Sequence, residues 1–225
     1  MLGLPSQPTR PCILRTAMIP MHHGTPAILL LAAGEGSRFG GAKQLAEIAG
    51  EAMVRRIARV LLDTDLPVWV VTGAYAAEVE AVLDDLPLKL IRCEDWQLGM
   101  GNSLATGVRS LALAFPQASA VLVCLADQPL LDIGLLRAML QRHQQAPDRV
   151  LATAQHGTQG PPALFPRDCF KCLAALSGSH GARVVLTREA HRMELFESAG
   201  LLDVDTATDL QHVRALLTDT PKQSA

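Results

Sequence analysis

Apolar positions along the chain form two kinds of stretch. Ala27–Ala33 and Ala118–Ala126 are the longest uncharged apolar stretches, whereas most segments around them alternate apolar and polar residues at helical spacing. A short continuous run ending in turn residues reads as a strand buried on both faces, as in a parallel sheet. Glu51–Asp63 puts Met53, Ile57, Val60 and Leu61 on one helical face. Pro67 opens a short strand, Val68–Thr72, followed by a helix over Ala74–Leu83 with Val79 and Val82 inward. Leu88–Arg92 reads as a strand, Ser103–Ala114 as a helix and Ile133–Gln145 as another. Repeated βα units predict an α/β fold, a mostly parallel sheet with right-handed crossovers and helices on both faces.

After Pro147 the pattern is less regular. Val150–Ala154 and Pro162–Phe165 read as strands bracketing a loop, His156–Pro161. Arg167–Leu176 and Ala182–Ala190 read as helical, Met193–Glu197 as extended, and Thr206–Leu217 as a last helix. With no internal repeat and no long linker, one domain over residues 25–220 is expected. Residues 1–24 hold four prolines and no periodic pattern. They read as a disordered tail, with Met18 and Met21 as alternative starts.

Composition narrows the function classes. With 49% apolar and 19% charged residues among 225, the chain has ample material for a core. A balance of 20 Lys+Arg against 22 Asp+Glu excludes a globally basic nucleic-acid binder. Neither apolar run approaches the roughly 20 residues that span a bilayer, so no membrane partner is expected. Five scattered cysteines without a secretory signal point to a reduced, cytoplasmic protein. Cys169 and Cys172 have CxxC spacing, but no second pair lies nearby and no strand precedes them, so they read as helix residues. The seven histidines are dispersed, and no zinc site is expected.

The strongest chemical signal follows the first strand, in Leu31-Ala32-Ala33-Gly34-Glu35-Gly36-Ser37-Arg38-Phe39-Gly40-Gly41-Ala42-Lys43. Closely spaced glycines let a backbone bend tightly and bring its N–H groups to an anion. Arg38 and Lys43 supply positive charge there, and a strand's carboxyl end is where open α/β sheets bind ligands. The segment departs from the GxGxxG dinucleotide fingerprint, since Phe39 stands where the third glycine belongs. It departs from the GxxxxGK[ST] phosphate loop too, since Gln44 follows Lys43.

The loop resembles the LAAGxGxRxGxxK signature of the MobA-like nucleotidyltransferases. Four more blocks resemble their molybdenum cofactor cytidylyltransferase branch and occur in its order: Asp95–Leu104, Leu125–Pro129, Gly160–Arg167 and Asp203–Thr206. Together they cover roughly Pro26 to Leu217. The resemblance implies a Rossmann-like, GT-A-like sheet and transfer of CMP from CTP to the terminal phosphate of molybdopterin, with pyrophosphate leaving. It implies a molybdoenzyme or its maturation chaperone as a partner. It assigns nucleotide binding to Leu31, Ala32, Ala33, Gly34, Gly36, Arg38, Lys43, Gly99, Asn102, Ser103 and Asp127, and acceptor binding to Gly160, Pro162, Arg167 and Arg183.

Such transfer needs positioning and charge neutralisation rather than a covalent intermediate. Lys43 and Arg38 fit the phosphates. Asp127, after an apolar strand, either holds Mg²⁺ or caps the next helix, and Asp205 either joins it as a metal ligand or caps Thr206–Leu217. Asn102 and Ser103 either serve the substrate or cap their helix. Branch members carry GDxGAR where this chain has Gly178-Ser179-His180-Gly181-Ala182-Arg183. The missing carboxylate leaves the acceptor open, and a sugar or polyol phosphate is the alternative. An NAD(P)- or flavin-dependent oxidoreductase is a further reading of the partial glycine fingerprint.

Overall fold

The computed structural model describes residues 24–155, 157–198 and 200–219. The expected tail, apart from Gly24, lies outside the described residues, as do Cys12 and the last six residues. In chain order the elements are β1 (Ala27–Ala32), β2 (Glu47–Ile48), β3 (Glu51–Ala52), α1 (Met53–Leu62), β4 (Val68–Thr72), α2 (Ala76–Ala81), β5 (Lys89–Arg92) and α3 (Met100–Ala114). Then come β6 (Ala120–Leu125), α4 (Ile133–Gln145), β7 (Val150–Gln155), β8 (Thr158–Pro166), α5 (Phe170–Ala174), α6 (Arg183–Arg188), β9 (Met193–Glu197) and α7 (Ala207–Asp219).

Seven strands form one sheet in the order β5-β4-β1-β6-β8-β7-β9, while β2 and β3 make a separate ribbon. The half from β5 to β6 is parallel throughout. In the other half β8 runs antiparallel to both β6 and β7, and β7 pairs with β9 in parallel. The sheet is therefore mostly parallel, as expected, with one reversed strand.

β1 is buried at every position, and its alternation divides the core. Ile28, Leu30 and Ala32 face a layer that includes Met53, Ile57 and Leu61 of α1, Met139 of α4 and Val213 of α7. Ala27, Leu29 and Leu31 face Leu104, Val108 and Leu111 of α3 with Leu173 and Val185 of α5 and α6. Successive strand side chains point to opposite faces, so an unbroken apolar run is what two helical layers require.

Three local readings are corrected. The expected loop at His156–Pro161 is mostly strand, because β8 runs from Thr158. The β7–β8 register shifts between Ala152 and Thr153, and this bulge accommodates Pro161 and Pro162, which have no N–H for a ladder. α1 starts at Met53 rather than Glu51, since Glu51 and Ala52 pair with β2. α3 starts three residues before Ser103, its first turn held by a neighbouring loop rather than a side-chain cap: Gly101 N–H donates to the Gly178 carbonyl at 2.8 Å.

Candidate functional site

β1 and β6 end side by side, with Leu31 opposite Leu125 and the Ala126 N–H donating to the Leu31 carbonyl at 3.0 Å. Whatever follows the two strands therefore shares one rim of the sheet. From β1 this is the glycine loop, and from β6 it is Asp127.

The loop turns at Gly36, whose φ of +65° suits glycine. Its carbonyl accepts from the N–H groups of Phe39 and Gly40 at 2.9 Å, and a Cβ there would fall 2.2 Å from the Gly41 oxygen. Among the described residues, nothing accepts from the backbone N–H groups of Gly34, Glu35, Gly36, Ser37 or Arg38. A run of free amides is an anion-binding surface. Lys43 opens the 3-10 turn that closes the loop.

Lys43 Nζ lies 2.7 Å from Asp127 Oδ2 and 2.8 Å from Asp205 Oδ1, and Arg38 Nη2 is 3.1 Å from Asp205 Oδ2. Burial, the largest single influence on Lys43, pulls its pKa down, but the two carboxylates outweigh it and hold the ammonium above its ordinary value. Asp127 is pushed above the ordinary carboxylate range, because its burial outweighs the Lys43 charge and Asp203 and Asp205 add repulsion. Neither aspartate caps a helix. Asp132 caps α4 by accepting from the Leu135 N–H. At α7 the Asp209 carboxylate accepts from the N–H groups of Asp205 and Thr206 and from the Thr206 hydroxyl.

The cleft over this cluster has a volume of about 380 Å³, and its lining includes Leu31 to Gly34, Gly36, Arg38, Lys43, Gly99, Ser103, Asp127 and Asp205. A second cleft of about 640 Å³ adjoins it, sharing Leu31, Met100, Leu125 and Ser179, with Gly160 and Arg183 on its wall. Ser179, in place of the branch's usual carboxylate, thus stands where the two clefts meet.

Three expected site residues lie elsewhere. Asn102 is withdrawn from the cleft, its Nδ2 donating to the Asp95 carbonyl at 2.8 Å and so fastening the preceding turn. Pro162 is buried in β8, outside the lining of either cleft. Arg167 is at the far end of the sheet, because antiparallel β8 sets Pro166 opposite Ala120, where β6 begins. Its guanidinium lies over the Phe170 ring, 4.7 Å from the centroid.

Two glutamines absent from the expected set are buried in the cleft walls: Gln44 on the first, and Gln128, which donates to the Pro161 carbonyl and Asp203 Oδ1, on the second. In the sequence Gln44 is marked only by its adjacency to Lys43, whereas Gln128 lies within the Leu125–Pro129 block. The CxxC pair lies in helical turns as expected, but a strand does precede it, since β8 ends at Pro166. Cys169 is a free thiol pushed up to about 12, chiefly by burial, and Cys172 is also free.

The residues fit a divalent cation shared with substrate. Asp127 Oδ1 is buried without a hydrogen-bond partner, and Asp205 lies across Lys43 from it. Among the described residues no cluster of three or more His, Cys, Asp or Glu could hold a metal alone. Such a cation would take its remaining ligands from phosphates and water, as Mg²⁺ commonly does. No helix of the described residues is long and apolar enough to cross a membrane.

Comparison with known proteins bears on this arrangement. A family model described as the MobA-like NTP transferase domain matches residues 28–193. The nicotine blue oxidoreductase of Paenarthrobacter nicotinovorans is 31% identical over 81% of this chain and 93% of its own. The purine catabolism protein PucB of Bacillus subtilis is 29% identical over 83% of this chain and 94% of its own. The crystal structure of Rv0371c from Mycobacterium tuberculosis superposes with a TM-score of 0.75 at 24% identity, covering 87% of this chain and 100% of that one. Rv0371c has also been solved with manganese.

Proposed function

We propose that this chain, which belongs to the MobA-like NTP transferase family and is a nucleotidyltransferase, transfers CMP from CTP to the terminal phosphate of molybdopterin in the cytoplasm. The observation that carries the reading is the ion cluster of Lys43, Asp127, Asp205 and Arg38 beside a loop of free backbone amides, in a cleft that a second cleft adjoins. The choice of CTP and molybdopterin is supported by the five sequence blocks of the cytidylyltransferase branch. A molybdoenzyme or its maturation chaperone would receive the product.

In this reading the loop amides hold the triphosphate of CTP in the first cleft and the acceptor sits in the second, near Arg183 and Gly160. An oxygen of the acceptor phosphate attacks the α-phosphorus in line. The bond to the bridging α–β oxygen breaks, and pyrophosphate leaves with the electron pair. Lys43 and Arg38 stabilise charge on the transferred and leaving phosphates. Asp127 and Asp205 would hold Mg²⁺, which when bound neutralises phosphate charge. The two clefts adjoin, so orienting the substrates against each other supplies much of the rate.

The test is thermal stabilisation with Mg²⁺ plus each of CTP, GTP, ATP, UTP and NADPH. Ligand at 100 times its dissociation constant adds about 2.7 kcal/mol. A shift with CTP that is lost in Lys43→Ala, followed by pyrophosphate release with molybdopterin, supports the reading. Pyrophosphate release only with a sugar or polyol phosphate would redirect the acceptor. A shift with NADPH and none with CTP would instead favour the oxidoreductase chemistry for which one relative is named.

A further inference from the structure

Gln44 is 3% exposed and stands in the 3-10 turn begun by Lys43. Its Nε2 donates to the carbonyl of Ala32, the last residue of β1, at 3.2 Å, and to the carbonyl of Gly34 at 2.5 Å. One side-chain amide thus grips the backbone on both sides of the strand-to-loop junction. Its Oε1 has no partner among the described residues, so the polar work of this side chain is donation alone.

In a trans peptide the C=O and the following N–H point in opposite directions. Drawing the Ala32 and Gly34 oxygens to a buried amide therefore turns the N–H groups of Ala33 and Glu35 away from it. Both residues line the first cleft, and among the described residues nothing accepts from the Glu35 N–H. The same two donations engage carbonyl oxygens that would otherwise present partial negative charge beside an anion. Because Gln44 follows Lys43, one turn sets both the loop's orientation and the place of its ammonium.

We infer that Gln44 is the positioning residue of the nucleotide loop, its carboxamide fixing the 32–33 and 34–35 peptides so that their N–H ends meet the phosphate chain. The inference rests on the reading of the first cleft as a triphosphate site. Gln44 acts through the backbone.

The experiment compares wild type with Gln44→Met, which keeps much of the side chain's length but removes the donor, and with Met139→Ala. The last opens a cavity in the helical layer at α4, where Met139 is buried, and reports what instability alone does to binding. Calorimetric titration with CTP, GTP, ATP and UTP in Mg²⁺ is run where circular dichroism shows all three folded. Two lost hydrogen bonds predict a triphosphate affinity roughly 10- to 100-fold weaker in Gln44→Met, with Met139→Ala at the wild-type value. Gln44→Met within about 2-fold of wild type, or an equal loss in Met139→Ala, overturns the inference alone. Wild type binding none of the four triphosphates overturns it together with the proposed function.

Discussion

Lys43 and Asp127 are 84 residues apart in the chain and meet at 2.7 Å. They meet because β1 and β6 are parallel neighbours, and each residue belongs to the segment that leaves its strand at the same rim. Asp205 reaches the same ammonium from a third segment, held there partly by the Val204 N–H donating to the Asp127 carbonyl at 2.8 Å. Charge balance in this cluster is therefore a property of strand order.

Asp127→Asn is expected to lower nucleotidyl transfer by about 10³-fold or more, and Lys43→Ala by roughly 10²- to 10³-fold. Lys43→Ala also leaves Asp127 without its counter-charge and should cost about 1–3 kcal/mol of stability. Pyrophosphate release and urea denaturation read the two effects separately. Wild-type turnover in either variant would remove these residues from the mechanism.

Asp127 must be ionised to hold a cation, and burial raises its pKa above the ordinary aspartate value of 3.8. As pH falls, protonation then begins earlier than for an ordinary aspartate, so kcat/KM should decline on an acid limb centred above that value. This parameter reports ionisations of the free enzyme. An acid limb at or below 3.8 would contradict the environment described for Asp127.

Asp209→Ala removes the acceptor for two backbone N–H groups and the Thr206 hydroxyl. Loss of this cap should destabilise the protein by about 1 kcal/mol. Because one of those N–H groups belongs to Asp205, the metal concentration needed for half-maximal transfer should also rise. A change in stability with no change in metal dependence would mean Asp205 is held by other contacts.

Gly99→Ala should destabilise by about 1–3 kcal/mol and depress transfer. Gly99 has a φ of +105°, and a Cβ there would lie 2.6 Å from the Gly178 carbonyl oxygen. The substitution forces apart the start of α3 and the 178–179 segment, which together close the seam between the clefts. A denaturation midpoint equal to wild type would show that the seam yields without cost.

Arg167→Ala should leave KM for both substrates unchanged, whereas Arg183→Ala should raise the acceptor KM by roughly 10-fold, the loss of one charged hydrogen-bonding group. The contrast follows from Arg183 lining the second cleft while Arg167 sits beyond Pro166 at the opposite end of β8. Steady-state kinetics with each substrate varied in turn decides it.

Much of this was legible in the chain. The apolar runs announce buried strands because burial on both faces leaves no position for a charge, and Ala27–Ala32 and Ala120–Leu125 duly occupy the centre of the sheet. The glycine loop is legible for a similar reason, since few residues tolerate the φ that Gly36 adopts. Helix starts were less accurate, because α3 is held at its N-terminus by the remote Gly178 carbonyl rather than by a local cap.

Local pattern along the chain is enough for a layered α/β fold, a glycine loop after the first strand and the charged residues Arg38, Lys43 and Asp127 near strand ends. Which candidates share a site depends on the three-dimensional fold. Lys43 and Asp205 are 162 residues apart, and no periodicity relates them. The reversed β8 sends Arg167 to the far rim while leaving Gly160 near the cleft. Asn102 went to the loop before its helix, and Gln44 took a place at the junction that its residue type does not announce. Local pattern reports which face of an element is buried, whereas a site depends on strand direction, order and register, which only long-range pairing sets.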